Sequence, residues 1–512
     1  MMAEEQRRSE AEGDVLPWTV AEFYRGQSVL LTGGSGFVGR VLLEKLLFYC
    51  PDIDTVYVLL RPRKGLSVQE RLHKLLDVPL FDRVRAQRPE ALGRLQAVEC
   101  DTAQPGLALA EADARVLAER VSVVFHLAAS VRFDDPLITA VRTNACATRD
   151  LLELATRMTK LKAFVHVSTT FCNEKQHEFE EKLYPVAGDW RSILALVEAQ
   201  GQSDPVALRV LTTKILGPYC NTYTYTKNLT EHIVDHYSDR LPVGILRPSV
   251  VVATARDPFP GWIDNFNGPM GLMVSGGKGV VHTCYSDPDC YIDYVPCDIV
   301  VKGIVLCSCE VARKGLGPLL VYHAARVGIH SITMGRVIAM GLEAGAELPF
   351  SDTLYHPCCN LTRNRLLFLV QFFFFHLVPA VIGDALLSAT GRKPMLIRLQ
   401  RRIYSAMMAV SWFLLQNWNF ANNRFLGLEK RIQPEDREGF SYQMENIVPE
   451  AFIRDALHGT RRYLMKEPDS NLPQAIQAYK RKRLIHLILK TLFYATISWI
   501  ILSKLHFLLF AE

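Results

Sequence analysis

Tyr223 and Lys227 are the residues whose types and spacing point most directly to chemistry. They stand four positions apart in a stretch that predicts a helix running to about Leu241, so both side chains lie on one helical face. A lysine ammonium beside a phenol favours the phenolate. We therefore expect Lys227 to lower the pKa of Tyr223 and make its hydroxyl a proton donor near neutral pH. Tyr225 competes for this role, but no lysine follows it at the same spacing.

A pair of hydroxyl residues offers the second part of such a site. Ser168 and Thr169 come directly after the β-rich run 163–167, at what would be the carboxyl end of a strand. Open α/β sheets bind their ligands at that edge, where a hydroxyl can orient and polarise a substrate carbonyl. Either residue could supply this hydroxyl.

The elements that must position these residues begin with a glycine turn. The apolar run 28–32 leads into the spacing G-x-x-G-x-x-G, and an apolar-periodic helix follows at once. Such a turn lets the backbone approach a pyrophosphate and aims the helix's free N–H groups at the phosphates. We predict a dinucleotide cradle formed by Thr32, Gly33, Gly34, Ser35, Gly36, Phe37, Val38 and Gly39.

A basic cluster marks the place where a dinucleotide fold selects its cofactor. The second predicted strand, 55–60, ends in Arg61, and Arg63 and Lys64 follow. No acidic side chain stands there to accept hydrogen bonds from a ribose. Cations pair instead with a 2′-phosphate, arginine through two parallel hydrogen bonds, so the sequence predicts NADPH. A solvated basic loop is the alternative.

β-rich and helical runs alternate up to residue 248, the pattern of a parallel sheet covered by helices on both faces. The run 121–127 ends in small residues that leave room beside a cofactor, and a predicted helix at about 136–158 follows. The remaining cofactor-site candidates are Leu127, Ala128, Ala129, Asn144, Pro248 and Ser249. No metal site is predicted, because the twelve cysteines are scattered without metal-ligand spacing.

The length of 512 residues, with 49% hydrophobic and 22% charged residues, predicts a globular protein with two or more folded units. The net charge of +5 gives no argument for a nucleic-acid partner, whereas a membrane surface or a polyanionic substrate would suit it. Residues 1–14 are polar without an apolar core, so no secretory signal peptide is predicted.

The stretch 484–510 is strongly apolar and follows a basic cluster at 479–483. This arrangement predicts a membrane anchor that leaves the preceding chain in the cytosol. Lys490 and Lys504 interrupt the stretch, but at about 21 Å apart along a helix they could snorkel to opposite interfaces of a thin bilayer. Whether the segment spans the bilayer or lies in its interface stays open.

A second apolar run, 366–378, could be an acyl-chain wall, a membrane-dipping helix or a core helix. A run of this length favours the buried core helix. Arg398, Arg401 and Arg402 could meet coenzyme A phosphates, although a solvated or lipid-facing helix surface is the simpler interpretation.

These motifs together resemble those of the eukaryotic fatty acyl-CoA reductases, which are extended short-chain dehydrogenases/reductases. The resemblance runs from about residue 24 to 465 and rests on the glycine turn and the stretches 59–65, 125–133, 165–169, 221–227, 245–249, 260–269 and 293–298. In the C-terminal part, the matching residues are Trp412, Trp418, Asn419, Phe420 and Asn423. One departure is Thr170-Phe171-Cys172, where an Ala-Tyr pair is more usual.

The resemblance implies an α/β fold with a Rossmann-type doubly wound parallel sheet, a mainly helical C-terminal domain and a membrane-associated C-terminal helix. The predicted boundaries are a flexible tail at 1–20, the reductase domain with substrate-binding insertions at 21–345, the helical domain at 346–466, a basic linker at 467–483 and the anchor at 484–510. It also implies that Asp101 meets the adenine, that Thr169 rather than Ser168 supplies the catalytic hydroxyl, and that Lys227 holds the nicotinamide ribose.

The activity implied is the reduction of a long-chain acyl thioester of coenzyme A to a primary alcohol, in two hydride steps with two NADPH and a bound aldehyde. The expected partners are the acyl-CoA substrate and membrane lipid, at the peroxisomal or endoplasmic reticulum membrane, with a homodimer left open. One alternative is a membrane-bound hydroxysteroid dehydrogenase, which would not explain the helical domain. The other is a non-catalytic NADPH-binding scaffold, against which the intact pair of Tyr223 and Lys227 speaks.

Overall fold

The computed structural model describes residues 15–173, 178–186, 188–199, 205–267, 269–326 and 331–510. The chain forms two compact units, each built from three segments of the sequence. The first comprises Met1–Trp262, Ile292–Ser331 and Asn417–Val448, and the second comprises Ile263–Tyr291, Ile332–Gln416 and Pro449–Glu512. The units therefore interleave along the chain, whereas the boundary predicted near residue 346 divides it once.

The first unit is organised around a seven-stranded parallel sheet, so the predicted fold class is confirmed. Its strands are β1 Ser28–Thr32, β2 Thr55–Leu60, β3 Leu95–Glu99, β4 Val121–His126, β5 Ala163–Val167, β6 Val243–Pro248 and β7 Leu320–Ala324. They lie in the order β7-β6-β5-β4-β1-β2-β3. Every residue of β1, β4 and β6 is buried, as expected for strands that are covered on both faces.

Helices cover both faces of this sheet. On one face, Tyr225, Leu229 and Ile233 from the helix Thr222–Asp235 join the main apolar core. On the other, the helix Cys297–Lys314 packs against β5, β6 and the helix Phe37–Tyr49. The α-helices of this unit are Val20–Tyr24, Phe37–Tyr49, Val68–Leu76, Asp82–Gln87, Glu111–Arg120, Leu137–Ala140, Ala147–Thr156, Trp190–Ala199, Pro205–Leu216, Thr222–Asp235, Cys297–Lys314, Asn423–Lys430 and Arg437–Phe440.

Short elements complete the first unit. A π-helical turn, Val141–Cys146, joins two of the helices, and two small parallel pairs of strands unite Val250–Val252 with Tyr294–Pro296 and Glu178–Phe179 with Asn419–Phe420. The 3-10 turns are Pro79–Phe81, Pro89–Arg94, Pro105–Ala108, Thr170–Cys172, Pro434–Asp436 and Met444–Asn446.

The N-terminal segment is folded from residue 16 onward, which corrects part of the predicted flexible tail at 1–20. Leu16 and Val20 are buried, and the amide of Leu16 donates to the carbonyl of Arg431 at 2.8 Å. Thr19 and Glu22 form a capping box that starts the first helix. Residues 1–14 lie outside the described part of the chain.

The second unit is mainly helical, with one short parallel pair of strands, Thr283–Tyr285 and Asn360–Thr362. Its core holds Phe368, Ile403 and Met407. Its helices, π-helical and 3-10 turns included, are Pro269–Gly277, Met334–Glu347, Arg365–Phe372, Phe373–Leu377, Val378–Ala389, Leu396–Leu414, Pro449–Gly459, Thr460–Leu464, Asp469–Asn471 and Leu472–Phe510.

The apolar run 366–378 is not a buried core helix, and that prediction was wrong. It lies in a continuous helical segment, Arg365–Ala389, whose best membrane-length window is only 17% buried. Within the described residues this is the one segment both long and apolar enough to cross a membrane. Only a stripe containing Phe368, His376 and Asp384 faces the rest of the unit.

The predicted anchor, 484–510, forms the end of one helix, Leu472–Phe510. The first part of this helix is tied to the unit, because Lys482 Nζ donates to Thr353 Oγ1 at 2.6 Å and the His486 ring bonds the Tyr355 hydroxyl at 3.1 Å. Leu492, Trp499 and Leu502 are exposed further along. Several side chains near the helix end, including that of Lys504, lie outside the described set.

Candidate active site

The glycine turn lies where the strand order reverses between β1 and β4. Parallel sheets leave a crevice at this point, because neighbouring connections run to opposite faces. Gly33 has a φ of +75°, and an added Cβ would lie 2.7 Å from the amide nitrogen of Ala128. A Cβ on Gly39 would overlap the carbonyl oxygen of Gly33. The turn is therefore closed to side chains at both glycines, as a backbone cradle for a pyrophosphate requires.

The floor of the crevice is a hydrogen-bond network around Thr32 and His126. Thr32 Oγ1 accepts from the amides of Leu127 and Ala128, both at 3.1 Å, and bonds His126 Nδ1 at 2.8 Å. His126 Nε2 bonds Thr148 Oγ1 at 2.9 Å. Burial, together with the charge of Lys227, lowers the pKa of His126 to about 3. This histidine is thus a neutral structural group that fixes the loop after β4 against the glycine turn.

The basic cluster after β2 lines a cleft of about 510 Å³. Arg61, Arg63 and Lys64 form one side of it, and Asp101 lies in its wall. Arg71, which sequence reasoning missed, belongs to the same cluster, because its guanidinium donates to the carbonyl of Arg61. Burial and the charges of Arg63 and Arg61 lower the pKa of Arg71. With Arg71, four cations outnumber the two carboxylates of the cleft, Glu99 and Asp101, and the net positive charge suits a phosphate group.

Tyr223 lies near Thr169 at the carboxyl end of β5, where Thr169 Oγ1 accepts from the amide of Phe171 at 3.3 Å. Desolvation raises the pKa of Tyr223 well above its usual value, and the Thr169 hydroxyl opposes this with a smaller effect. The expected lowering of the Tyr223 pKa by Lys227 was therefore wrong for this geometry. Lys227 Nζ donates instead to the carbonyl of Val167 at 2.7 Å, and burial lowers the pKa of Lys227 to about 8.

A buried ion pair holds the helix that carries Tyr223 and Lys227. Glu231, one turn after Lys227, accepts two hydrogen bonds from Arg247 of β6, at 2.8 and 2.6 Å, and both side chains are fully buried. The thiol of Cys172 donates to Glu231 at 3.3 Å. Bidentate pairs of this kind are geometrically demanding, so the pair fixes the helix against both β6 and the turn after Thr169.

The loop between β4 and the π-helical turn is bound to the same helix. Asn144 accepts from the amide of Ser130 at 2.8 Å and donates to Thr226 Oγ1 at 3.0 Å. Asn144 was predicted to contact the cofactor, and the structure shows it joining loop to helix. From this loop, Phe133 stacks on the ring of Tyr223, with centroids 5.8 Å apart. Phe133 ends the stretch 125–133 on which the family resemblance rests, but no role was predicted for it.

Ser168 and Ser249 are buried at the carboxyl ends of β5 and β6, beside the predicted Pro248. Their Oγ atoms have no hydrogen-bond partner among the described residues. Buried hydroxyls without partners are costly unless a ligand satisfies them. With the closed glycine turn and the basic cleft, they form a continuous edge that fits a dinucleotide. Within the described ranges, no group of three or more His, Cys, Asp or Glu side chains could hold a metal ion.

Comparison with known proteins agrees with this geometry. The NAD-binding family described as male sterility protein matches residues 31–304, and a second family of that description matches 375–467. Fatty acyl-CoA reductase 1 of Xenopus laevis is 35% identical over 457 residues, covering 89% of this chain and 88% of that protein. Fatty acyl-CoA reductase 2 of Homo sapiens is 34% identical over 483 residues, covering 94% and 93%.

Two solved structures resemble the fold. The reductase domain of a nonribosomal peptide synthetase from Mycobacterium tuberculosis superposes with a TM-score of 0.58 at 21% identity, covering 86% of this chain and 94% of that one. The terminal R domain of the myxalamid PKS-NRPS pathway gives 0.57 at 20% identity, covering 88% and 96%. At this identity they support the fold alone.

The sheet order, the glycine turn at the switch point and the Tyr-x-x-x-Lys helix define an NAD(P)H-dependent oxidoreductase with the extended short-chain dehydrogenase/reductase fold. The sequence relationships identify the family within this class of oxidoreductases. The chain belongs to the fatty acyl-CoA reductase family, as the resemblance of its motifs predicted.

Proposed function

We propose that this protein is an alcohol-forming fatty acyl-CoA reductase, which converts a long-chain acyl-CoA into a primary alcohol and free coenzyme A through a bound aldehyde. The observation that carries the proposal is the helix Thr222–Asp235, which places Tyr223 beside Thr169 at the sheet edge and bonds Lys227 Nζ to the carbonyl of Val167 at 2.7 Å. Family membership supports the substrate class, because the relatives are named for acyl-CoA reduction.

The cofactor, when bound, supplies hydride to the substrate carbonyl. Tyr223, whose phenol is protonated at neutral pH, donates its proton to the oxygen that develops negative charge. Thr169 donates a second hydrogen bond to that oxygen. The same two hydroxyls serve both reductions. The Tyr223 phenolate takes the proton back as the hemithioacetal collapses to aldehyde and expels thiolate, so Tyr223 is protonated again for the reduction of the aldehyde.

NADPH is the proposed cofactor. Arg61, Arg63, Lys64 and Arg71 would hold its 2′-phosphate in the basic cleft. The closed turn at Gly33 and Gly39 would hold the pyrophosphate, and the orphaned Ser168 and Ser249 hydroxyls are free to bond its nicotinamide half.

The deciding experiment is a stoichiometric assay of the purified full chain with NADPH and a panel of saturated acyl-CoAs. About two NADPH should disappear per coenzyme A released, with alcohol as the product. A ratio of one with free aldehyde would show a reductase that stops halfway. Turnover of hydroxysteroids in place of acyl-CoA would favour the dehydrogenase alternative, and NADPH binding without turnover would favour the scaffold.

A matched pair of variants tests the site within that assay. Tyr223→Phe removes the proposed donor and keeps the ring, so turnover should fall by about 10²-fold or more while acyl-CoA still binds. Tyr225→Phe is the control, because Tyr225 lies two residues away in the core of the same helix and has no lysine one turn on. Full activity in Tyr223→Phe would remove this residue from the mechanism.

Membrane attachment through the C-terminal helix is also proposed, since the stretch 484–510 is apolar and follows a basic cluster. Removing residues 491–512 keeps the contacts of Lys482 and His486 with the second unit. This truncation should weaken retention after an alkaline carbonate wash without abolishing reductase activity. Unchanged retention would place the attachment elsewhere in the chain.

A further inference from the structure

An apolar surface runs along the helical segment Arg365–Ala389 of the second unit. Leu366 is 72% exposed, Phe374 59%, Ile382 56% and Leu386 64%. Exposed apolar side chains scattered singly are ordinary, but a continuous face of this length marks an interaction site. We call this surface, between Leu366 and Leu386, the hairpin face, because the returning helix Leu396–Leu414 packs beside it.

The opposite side of the same segment is bound to the unit by polar contacts. His376 Nε2 accepts from the amides of His282 and Thr283 at 3.1 and 3.2 Å. Asp384 accepts from the amides of Met395, Leu396 and Ile397 at 2.8 to 3.0 Å and so caps the returning helix. A helix fixed in this way cannot leave the unit to cross a bilayer without breaking these contacts. Its exposed face can only enter a bilayer from one side.

All charged residues but one in the helical segment and the returning helix are positive. Exposed cations lie at both ends of the segment and on the first turns of the returning helix, namely Arg365, Arg392, Lys393, Arg398, Arg401 and Arg402. Asp384 is the single acidic residue between 365 and 414, and capping occupies its carboxylate. Arg398, Arg401 and Arg402 share one helical face, because they are three and four residues apart.

We infer that the hairpin face inserts into the outer layer of an anionic lipid bilayer as a monotopic contact, independent of the C-terminal helix. An apolar helix face bordered by arginine and lysine is the composition of interfacial membrane helices. The apolar side chains enter the boundary of headgroups and acyl chains, and the flanking cations pair with lipid phosphates. The inference does not depend on the proposed reaction.

The test locates the hairpin face in the full chain by fluorescence. Phe374→Trp and Leu386→Trp place an added indole on the face, and Leu316→Trp is the matched control, since Leu316 is 60% exposed in the first unit. Each protein is bound to vesicles of phosphatidylcholine and phosphatidylserine whose acyl chains carry bromine. The added emission at 374 and 386 should be quenched, and that at 316 should not.

A second measurement tests the charge. Reversing Arg398, Arg401 and Arg402 to Glu should lower the partition coefficient onto anionic vesicles by about tenfold or more and change binding to neutral vesicles little. The control reverses Arg120, Lys160 and Lys162, which are exposed on the first unit. Reductase activity in detergent verifies that each variant is folded. If neither the unmutated protein nor any variant reduces acyl-CoA, that result counts against the proposed function and not against membrane insertion.

Three results would overturn the inference. The first is an unquenched indole at 374 and 386 in protein that is bound to vesicles. The second is no vesicle binding at all. The third is self-association of the unmutated protein, measured by sedimentation, that Phe374→Glu abolishes, because the face would then be covered by a second copy of the chain.

Discussion

The Tyr223 hydroxyl is protonated at neutral pH, and desolvation raises its pKa, which makes it a weaker acid than a free tyrosine. The Thr169 hydroxyl beside it acts against this rise in pKa with a smaller effect. Lys227 Nζ donates to the carbonyl of Val167, so it links the helix Thr222–Asp235 to β5. The two hydroxyls at the end of β5 then differ in one respect: Thr169 meets Tyr223, whereas Ser168 has no partner in the described structure.

Thr169→Val should lower kcat by about 10²-fold, because it removes one donor to the developing oxyanion and keeps the side-chain shape. Ser168→Ala is the matched control one residue earlier and should leave kcat close to that of the unmutated enzyme while raising the KM for NADPH. Steady-state kinetics with a saturated acyl-CoA measures both. If kcat falls strongly in Ser168→Ala and not in Thr169→Val, Ser168 rather than Thr169 supplies the hydroxyl that bonds the substrate oxygen.

Arg61→Ala combined with Arg63→Ala should weaken NADPH binding by about 10²-fold, because each lost charge-assisted hydrogen bond contributes about 1.5 kcal/mol or more. Arg71→Ala should weaken it further. NADH, which lacks the 2′-phosphate, should bind nearly as before. Fluorescence titration measures both affinities, with the exposed Arg115→Ala as the control. Equal losses for the two cofactors would contradict the phosphate assignment.

Residue types and spacing were enough to find the glycine turn, the basic cluster and the pair of Tyr223 and Lys227, since each is a local pattern. Arg71 was not predicted, although the sequence contains a signal for it. The capping box of Ser67 and Glu70 starts a helix directly after the basic cluster, and Arg71 lies near the start of that helix. Phe133 belongs to a stretch that resembles the family, but that resemblance assigned it no role. Its stacking on Tyr223 depends on a loop whose course is decided by contacts far along the chain.

At the scale of elements, the π-helical turn Val141–Cys146 connects the loop after β4 to the helix that carries Tyr223. Such turns are single insertions in a helix and often occur at functional sites. This turn carries Asn144, whose amide bonds both the loop at Ser130 and the helix at Thr226. Through these bonds the position of Phe133 depends on that of the helix carrying Tyr223.

Asn144→Asp should lower kcat by about tenfold and destabilise the protein, because the carboxylate cannot donate to the Ser130 carbonyl or to Thr226. Thr226→Val removes one of these acceptors and should have a smaller effect in the same direction. The KM for acyl-CoA and kcat are measured with the melting temperature. If kcat is unchanged while the melting temperature falls, Asn144 serves stability alone.

The apolar run 366–378 shows where sequence patterns reach their limit. Length and hydropathy cannot distinguish a helix covered by protein from one covered by lipid, because both exclude water. The distinction lies in what packs on the helix, and here only the stripe with Phe368, His376 and Asp384 is covered. The strands of the sheet could be predicted, because burial on both faces makes a strand apolar throughout and leaves a recognisable run in the sequence.

For the whole molecule, the class of fold followed from the sequence but the division into units did not. Segment 417–448 rejoins the first unit through contacts such as that of Glu181, which accepts from the amides of Arg424 and Phe425 and starts the helix Asn423–Lys430. Contacts between residues more than two hundred positions apart produce no periodic pattern in the sequence, so the division into units could not be predicted from it.

Three histidines among the described residues of the first unit, His126, His166 and His323, are buried, and burial keeps them neutral. Thr148 donates its hydroxyl proton to the carbonyl of Asn144, so it must accept from His126 Nε2, which leaves His126 Nδ1 to accept from Thr32. His323 Nε2 accepts from Arg247 at 2.9 Å. Burial lowers the pKa of His126 and of His323 to about 3 and also lowers that of His166.

The free energy of unfolding should therefore decrease as the pH falls below about 6.5. In that range the unfolded chain binds protons at these histidines, whereas folded His126 and His323 bind them only near pH 3. Each histidine should lower the free energy of unfolding by about 2 kcal/mol between pH 6.5 and pH 5. Glu181, whose pKa burial raises to about 7, acts in the opposite direction, so the comparison must be between variants.

His126→Gln should be less stable than the unmutated protein at pH 7 but should lose about 2 kcal/mol less between pH 6.5 and 5. Urea unfolding at each pH gives both quantities, followed by a signal that reports on the first unit. His73→Gln is the control, because His73 is exposed on the same unit, and its pH dependence should match that of the unmutated protein. Parallel curves for His126→Gln and the unmutated protein would mean that folded His126 takes up a proton as readily as the unfolded chain does.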